Sequence, residues 1–180
     1  NKASGIGISY NVGALVYNLG QLPVSDIYTV VAPSAASPSG VLTIQNSISD
    51  AVAAPLADGI INLQAEYGAD DGVNDGTVSR ASYVANDGIV DHWTTVNPTT
   101  PAGWGQIIAV RVVVVARSSL REKINRTTGA CDATANMPSW SGSATSPITL
   151  SDDSDGTSWR CYRYKTYEAT VPLRNMIWKP

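Results

Sequence analysis

The apolar residues are concentrated in one run near the middle of the chain. Residues 107–116 read IIAVRVVVVA, and only Arg111 interrupts the apolar sequence. Isoleucine and valine dominate this run, and their β-branched side chains favour strands over helices. The run is too short to cross a membrane as a helix, which needs about 20 apolar residues. The pattern therefore predicts a central strand that is buried on most of both faces.

Two arginines accompany this predicted central strand. Arg111 lies inside the run, and Arg117 follows its last apolar residue. A guanidinium buried without a partner is costly, so we expect each head to reach a strand end or a carboxylate.

A second segment, residues 60–68, alternates with the two-residue period of a strand. One set of positions is apolar and the other is polar: Ile61, Leu63, Ala65 and Tyr67 against Asn62, Gln64 and Glu66. Strict alternation is typical of an antiparallel strand with one face buried and one face in water.

Shorter patterns complete the predicted elements. Residues 26–31 and 41–46 are strand candidates, and residues 1–20 favour a hairpin. Residues 47–59 are rich in alanine and predict one helical turn, whose length Pro55 limits.

The end of the chain carries one more strand signature. Within residues 159–178, Tyr162 and Tyr164 alternate with Arg163 and Lys165, and Pro172 restricts the end of the strand to a sheet edge or a bulge. Together the patterns predict a mainly β fold: antiparallel sheet or sheets with long loops, over residues 1–180 as a single domain.

The charge of the chain limits its function. Charged residues make up 15% of the sequence and the net charge is −3. A general nucleic-acid binder would present a basic face, so we expect no nucleic-acid partner. A surface built from serine, threonine, asparagine and glycine is more usual outside the cytoplasm.

Two cysteines, Cys131 and Cys161, could form a disulfide or remain two buried thiols. Neither belongs to a CxxC pair, and His92 is the only histidine, which disfavours a structural zinc site. The weakly charged surface favours the disulfide, which would close a 30-residue separation and contribute roughly 3–4 kcal/mol. A disulfide implies an oxidising compartment.

The polar connection 68–103 holds candidate ligands for calcium, the one cofactor we consider. They are the oxygen-bearing side chains Asp71, Asn74, Asp75, Asp87 and Asp91. Hard oxygen donors and glycines suit a calcium loop, but Val73 and the lack of a closing glutamate exclude an EF-hand. The alternative is that Asp, Asn and Gly only form turns here.

A cationic segment follows the predicted central strand. Arg121, Lys123 and Arg126 could dock on an acidic partner protein, or the segment could be a solvated loop.

The sequence offers no clustered catalytic set, and we predict that the protein is not an enzyme. Adjacent residues on a strand point to opposite faces, so Asp91 would not orient His92. Glu66 and Glu168 could form a glycosidase pair, but nothing in the sequence sets their separation.

Several segments, taken in order, resemble one known family. The segments GQIIAVRVVVVARS (105–118), CD (131–132) and WRCYRYKTYEATVPLRNMIW (159–178) resemble the C-terminal half of PilW-type minor pilins of type IV pilus systems. LVYNLGQLPVSDIY (15–28), GVLTI (40–44) and LADGIINLQAEYGADDG (56–72) agree, so the resemblance covers most of the chain.

The resemblance implies a periplasmic headgroup, α+β and pilin-like once a hydrophobic N-terminal helix is included. That helix, preceded by a cleaved leader, would anchor the protein in the inner membrane and later pack in the pilus core. We expect this sequence to be the headgroup, or part of it, without that leader and helix. The family's two cysteines match Cys131 and Cys161, which supports the disulfide.

The implied role is priming of pilus assembly with other minor pilins and the major pilin, first at the inner membrane and then at the tip of a cell-surface pilus. Two alternatives stay open. One is a pilus-tip adhesin or calcium-dependent ligand-binding module, with a concave surface involving Trp93, Trp104 or Trp140. The other is a pseudopilin of a type II secretion system.

The chain departs from the family in its acidic loop. The family's compact Asp-rich turn is split here into residues 70–76 and 86–91, with TVSRASYVA between them. We interpret the intervening segment as an insertion.

Overall fold

The computed structural model describes residues 24–33, 39–49, 51–153 and 156–173. The hairpin predicted within residues 1–20 lies outside them, as does the end of the last predicted strand. The described residues form seven strands, one short helix and one 3₁₀ turn. The strands are β1 (Asp26–Val31), β2 (Val41–Asn46), β3 (Ala54–Asp58), β4 (Ile60–Ala69), β5 (His92–Thr94), β6 (Ile107–Arg117) and β7 (Tyr164–Pro172), the helix is α1 (Pro101–Gly105), and the turn is Trp159–Cys161.

The strands form two antiparallel sheets, which confirms the mainly β prediction. The first sheet has the order β1-β2-β3, and the second has the order β5-β4-β6-β7. The apolar run is the central strand β6, paired with β4 on one side and β7 on the other. Strand β7 lies at the edge and ends at Pro172, as the sequence predicted.

The helical turn predicted for residues 47–59 is wrong, because Ala54–Asp58 is a strand. Pro55 cannot donate to a ladder, and it lies in an edge strand at a register shift. Leu42 pairs with Ala57 and Thr43 with Pro55, so Leu56 bulges out and is exposed.

A glycine turn joins the two sheets. Gly59 has a φ of +77°, which favours glycine, and it lies between β3 and β4. Its N–H donates to the carbonyl oxygen of Gly40 at 2.9 Å, and its own carbonyl oxygen accepts from the N–H of Arg117 at 2.8 Å. The turn therefore connects the first sheet to the end of the central strand.

The polar positions of β4 lie on the buried side of the second sheet. The expectation that the polar face of β4 lies in water is therefore wrong. Glu66 is only 1% exposed, whereas Ala65 on the opposite face is exposed. A register shift after Ile60 also turns Ile61 away from Leu63, and Ile61 packs with the buried core instead.

The central strand β6 is buried on one face only. Val113 and Val115 are fully buried, whereas Val112 and Val114 on the other face are half-buried. The core on the buried face is completed by Trp140 and other residues of the loop that follows β6: Ile148 and Leu150. The prediction that β6 is buried on most of both faces is therefore wrong, because the loop covers only one of them.

The disulfide predicted between Cys131 and Cys161 is present, with a Cα–Cα distance of 4.8 Å. It connects the covering loop, at Cys131, to the 3₁₀ turn that precedes β7. The loop is thereby held next to the edge of the sheet.

Removing this disulfide should lower the melting temperature by roughly 6–12 °C, because an open loop gains entropy in the unfolded chain. The measurement is a thermal melt of the chain with both Cys131 and Cys161 replaced by serine, beside the oxidised chain. An unchanged melting temperature would show that the cross-link does not stabilise the fold.

Candidate functional site

A buried ion pair lies at the centre of the covered face. Glu66 and Arg111 are opposite each other on β4 and β6, and Arg111 Nε donates to Glu66 Oε2 at 2.6 Å. The guanidinium carbon lies 4.5 Å from the ring centre of Trp93 and 5.3 Å from that of Trp140. The expectation that Arg111 reaches a carboxylate is confirmed.

The covering loop is hydrogen-bonded to the carboxylate of Glu66 on β4 and to that of Glu168 on β7. Thr145 Oγ1 donates to Glu66, and the Ser141 N–H donates to Glu168 at 3.1 Å. A Cβ on Gly142 would lie 2.3 Å from the ring of Trp140, so the loop can approach this closely only with glycine there. Both glutamates are thus bound to groups of the loop.

A second ion pair confirms the expectation for Arg117. Its guanidinium donates to Asp153 Oδ1 at 2.6 Å and lies 4.1 Å from the ring centre of Tyr162, whose hydroxyl donates to Asp153 Oδ2 at 2.8 Å.

Burial raises the pKa of Tyr164 to about 12, and its protonated hydroxyl donates to the carbonyl oxygen of Trp159 at 2.9 Å.

These contacts change the interpretation of the tryptophans. Trp93 and Trp140 both stack against Arg111, and Trp140 is 7% exposed. Trp104 is 45% exposed and makes an edge contact with Tyr67. A concave surface that involves one of these tryptophans, as the adhesin alternative expects, stays a prediction.

The acidic loop between β4 and β5 is organised around Arg80. Its guanidinium donates to Asp91 Oδ1 at 2.5 Å and to Asp87 Oδ2 at 2.8 Å. The hydrogen bond from Arg80 holds the pKa of Asp87 below its usual value. The segment that separates the two acidic halves thus supplies the cation that joins them.

Most of the candidate calcium ligands also cap their own turns. Each accepts a hydrogen bond from the N–H two residues later: Asp71 from Val73, Asn74 from Gly76, Asp75 from Thr77 and Asp87 from Ile89. This is the hydrogen-bond pattern of Asx turns, the alternative that the sequence left open. Asp91 is fully buried and also accepts from the N–H of Gly72 at 2.6 Å.

The loop contains one anchoring carboxylate that the sequence reasoning missed. Asp70 is 2% exposed and accepts from the N–H groups of Asp87 at 3.2 Å and Gly88 at 2.7 Å. His92 Nδ1 lies 3.2 Å from Asp71 Oδ1, while Asp91 faces Arg80. The prediction that Asp91 does not orient His92 is confirmed.

Calcium binding stays a prediction. Arg80 lies where Asp87 and Asp91 would otherwise share a cation, and no group of three or more His, Cys, Asp or Glu side chains within the described ranges is arranged to hold a metal.

The cationic segment lies on the surface beside the disulfide. Arg121, Lys123 and Arg126 are exposed, and all three line one shallow surface pocket of about 550 Å³ together with Ile124. Arg121 also donates to the hydroxyl of Thr157 at 3.3 Å. The structure thus brings the three predicted residues together, and partner binding by them stays a prediction.

Within the described residues, the side of the second sheet that the covering loop does not reach forms an apolar sheet face. Its members lie on β4 and β6 and alternate with the positions that face the covering loop: Leu63, Ala65, Tyr67, Val110, Val112 and Val114. With Tyr28 and Leu42 of the first sheet they line a groove of about 920 Å³. The sequence signal for this face was the alternation on β4 and the apolar run of β6, neither of which reveals which face is covered.

The family comparison agrees with this architecture. The family model of type IV pilus-assembly protein W (PilW) matches residues 27–175. The chain belongs to the PilW family. The match includes all seven strands, the disulfide and the covering loop of this PilW chain. It assigns the chain to type IV pilus assembly.

Other comparisons add no relative. Neither the curated proteins nor the solved structures include a match to this PilW chain. In the part of the chain that the structure describes, no helix is long and apolar enough to cross a membrane.

Replacing Arg111 with methionine should destabilise the fold by about 3–5 kcal/mol, because the charge of Glu66 would stay buried without its partner. Urea unfolding measures the change. Arg163→Met is the matched control, since its ion pair with Glu122 is exposed and worth at most about 1 kcal/mol. Equal effects of the two substitutions would contradict the central role of the buried pair.

Calcium binding by the acidic loop predicts a higher melting temperature in Ca²⁺ than in Mg²⁺ or a chelator, because a bound ligand stabilises the folded state. Asp75→Asn should remove the difference, whereas Asp132→Asn, outside the loop, should keep it. Equal melting temperatures in all three solutions would reject the calcium prediction.

Proposed function

We propose that this PilW chain is the headgroup of a minor pilin that primes pilus assembly within a minor-pilin complex at the pilus tip. The observation that carries the proposal is the apolar sheet face. Half-buried valines on β6 and exposed Ala65 on β4 form one continuous apolar surface. A surface of this kind usually marks a contact with another element.

A helix is the element that suits this groove. The lining positions 63–67 and 110–114 extend over roughly 13 Å of each strand, and a helix with its side chains is about 10 Å wide. Packing a helix on one face of a sheet is also a standard way to bury both apolar surfaces. The proposed occupant is the hydrophobic N-terminal helix that the resemblance implies, which would also anchor the protein in the inner membrane.

The remaining surface supports contacts with other pilins. The cationic residues Arg121, Lys123 and Arg126 are proposed to bind acidic surfaces of other minor pilins or the major pilin. The disulfide between Cys131 and Cys161 suits a periplasmic headgroup that is later displayed on the cell surface.

The substitution Val112→Asp in the complete pilin tests this proposal. It should reduce the number of surface pili by roughly tenfold or more, because a carboxylate in an apolar interface costs several kcal/mol. Electron microscopy counts pili in cells that lack the native gene and express the variant. The headgroup carrying the substitution should keep a cooperative thermal transition.

Val52→Asp is the matched control, since Val52 is 91% exposed and lies outside the groove. It should leave the number of pili unchanged. Normal pili with Val112→Asp would contradict the assignment of the groove to the helix.

A further inference from the structure

The edge strand β7 has one neighbour within the described residues, the central strand β6. Its pairing with β6 runs without a register shift from Tyr164 to Pro172. The opposite edge of the same sheet, β5, is only three residues long. β7 is therefore the long regular edge of the second sheet.

The register determines which backbone groups of β7 face away from β6. The N–H of Ser118 donates to the carbonyl oxygen of Arg163, and the N–H of Leu173 donates to that of Ile108. Hydrogen-bonded pairs alternate along an antiparallel ladder, so the odd-numbered residues of β7 face β6. The N–H and C=O groups of the even-numbered residues Thr166, Glu168 and Thr170 face outward.

This edge has few of the features that usually prevent strand addition: Lys165 and Glu168 are its charged residues, and Glu168 is bound by the N–H of Ser141 in the covering loop. Proline, bulges and inward-pointing charges protect most natural edges. Here the only proline, Pro172, is at the very end, and the ladder has no bulge. Tyr167 and Val171 are 55% and 51% exposed, so the edge is also apolar on one side.

Charge identifies the kind of strand that would fit. The start of β7 follows Arg163 and lies beside the cationic segment, because the Glu122 N–H donates to the carbonyl oxygen of Cys161 at 2.8 Å. Arg121 and Lys123 are exposed there, and Arg163 is paired with Glu122. In an antiparallel pair, the residues that follow the added strand lie at this cationic end.

We propose that β7 pairs with an antiparallel strand from another pilin headgroup, and that acidic residues follow this added strand in sequence. This proposal rests on the proposed function. The outward N–H and C=O groups bind the backbone of the added strand, and the cationic end selects its charge. A second copy of this chain fits poorly, because its own β7 is followed in sequence by Arg174 and Lys179.

Amide hydrogen exchange measured by NMR on the whole chain tests the proposal. In the free protein, Thr166, Glu168 and Thr170 should exchange at least about tenfold faster than Tyr167 and Ala169. The probe is a synthetic peptide of alternating threonine and valine that ends in glutamates. It should slow exchange at the three outward amides, and the same peptide ending in lysines should bind roughly tenfold more weakly.

The variant Thr166→Pro removes one outward N–H without removing a bond to β6, and proline is tolerated at such edge positions. It should weaken binding of the glutamate peptide by roughly fivefold or more, which corresponds to one lost hydrogen bond. Thr166→Val is the matched control and should bind normally.

Three results would overturn the proposal: outward amides that are already protected in the free chain, peptides that bind equally whatever their charge, or protection that grows with protein concentration alone. The last result would assign the edge to a second copy of the chain. These results leave the pilus count of Val112→Asp unaffected, so failure of strand addition and failure of the proposed function are distinguishable.

Discussion

The buried pair of Glu66 and Arg111 is the interaction on which the rest of this structure depends. Both charges leave water, and the cost of that transfer is offset only when every polar group around them is bound. Trp93 and Trp140 stack on the guanidinium, and Thr145 binds the carboxylate. Two of these residues come from the loop after β6, so the loop must close over this face for the pair to be stable.

Closing the loop over the polar face has a consequence for the opposite face. The same strands present valines, Leu63 and Tyr67 on the side that the loop does not reach. Within the described residues, the fold buries a charged pair on one face of the sheet and leaves an apolar groove on the other. That arrangement suits a headgroup that receives a helix and joins a pilus. Family membership independently assigns the chain to pilus assembly.

The sequence predicts the strands better than it predicts their burial. Periodicity located β4 and the apolar run located β6. The cost of an unpaired guanidinium predicted a strand end or a carboxylate for Arg111 and Arg117, and both have a carboxylate partner. It could not reveal that Glu66 is the partner of Arg111, because that depends on strand register. Pattern alone also cannot reveal which face a distant loop covers, so the polar face of β4 was wrongly expected to lie in water.

The acidic loop shows the same limit at shorter range. Its composition suggested calcium ligands or turns, and both interpretations considered the carboxylates alone. The lone cation Arg80 was visible in the sequence, but its position between Asp87 and Asp91 depends on how residues 77–85 fold back. Local hydrogen bonding then explains the Asx turns, and the ion pairs of Arg80 join the two acidic halves of the loop.

The most direct test of this account is the solvent accessibility of the valine methyl groups on β6, measured by NMR with a soluble paramagnetic agent. Val113 and Val115 should be protected in the isolated headgroup, while Val110, Val112 and Val114 should be broadened. In a longer protein that carries the proposed N-terminal helix, the latter three should become protected. If Val110, Val112 and Val114 remain broadened when the helix is present, or if Val113 and Val115 are the accessible set, the account is wrong.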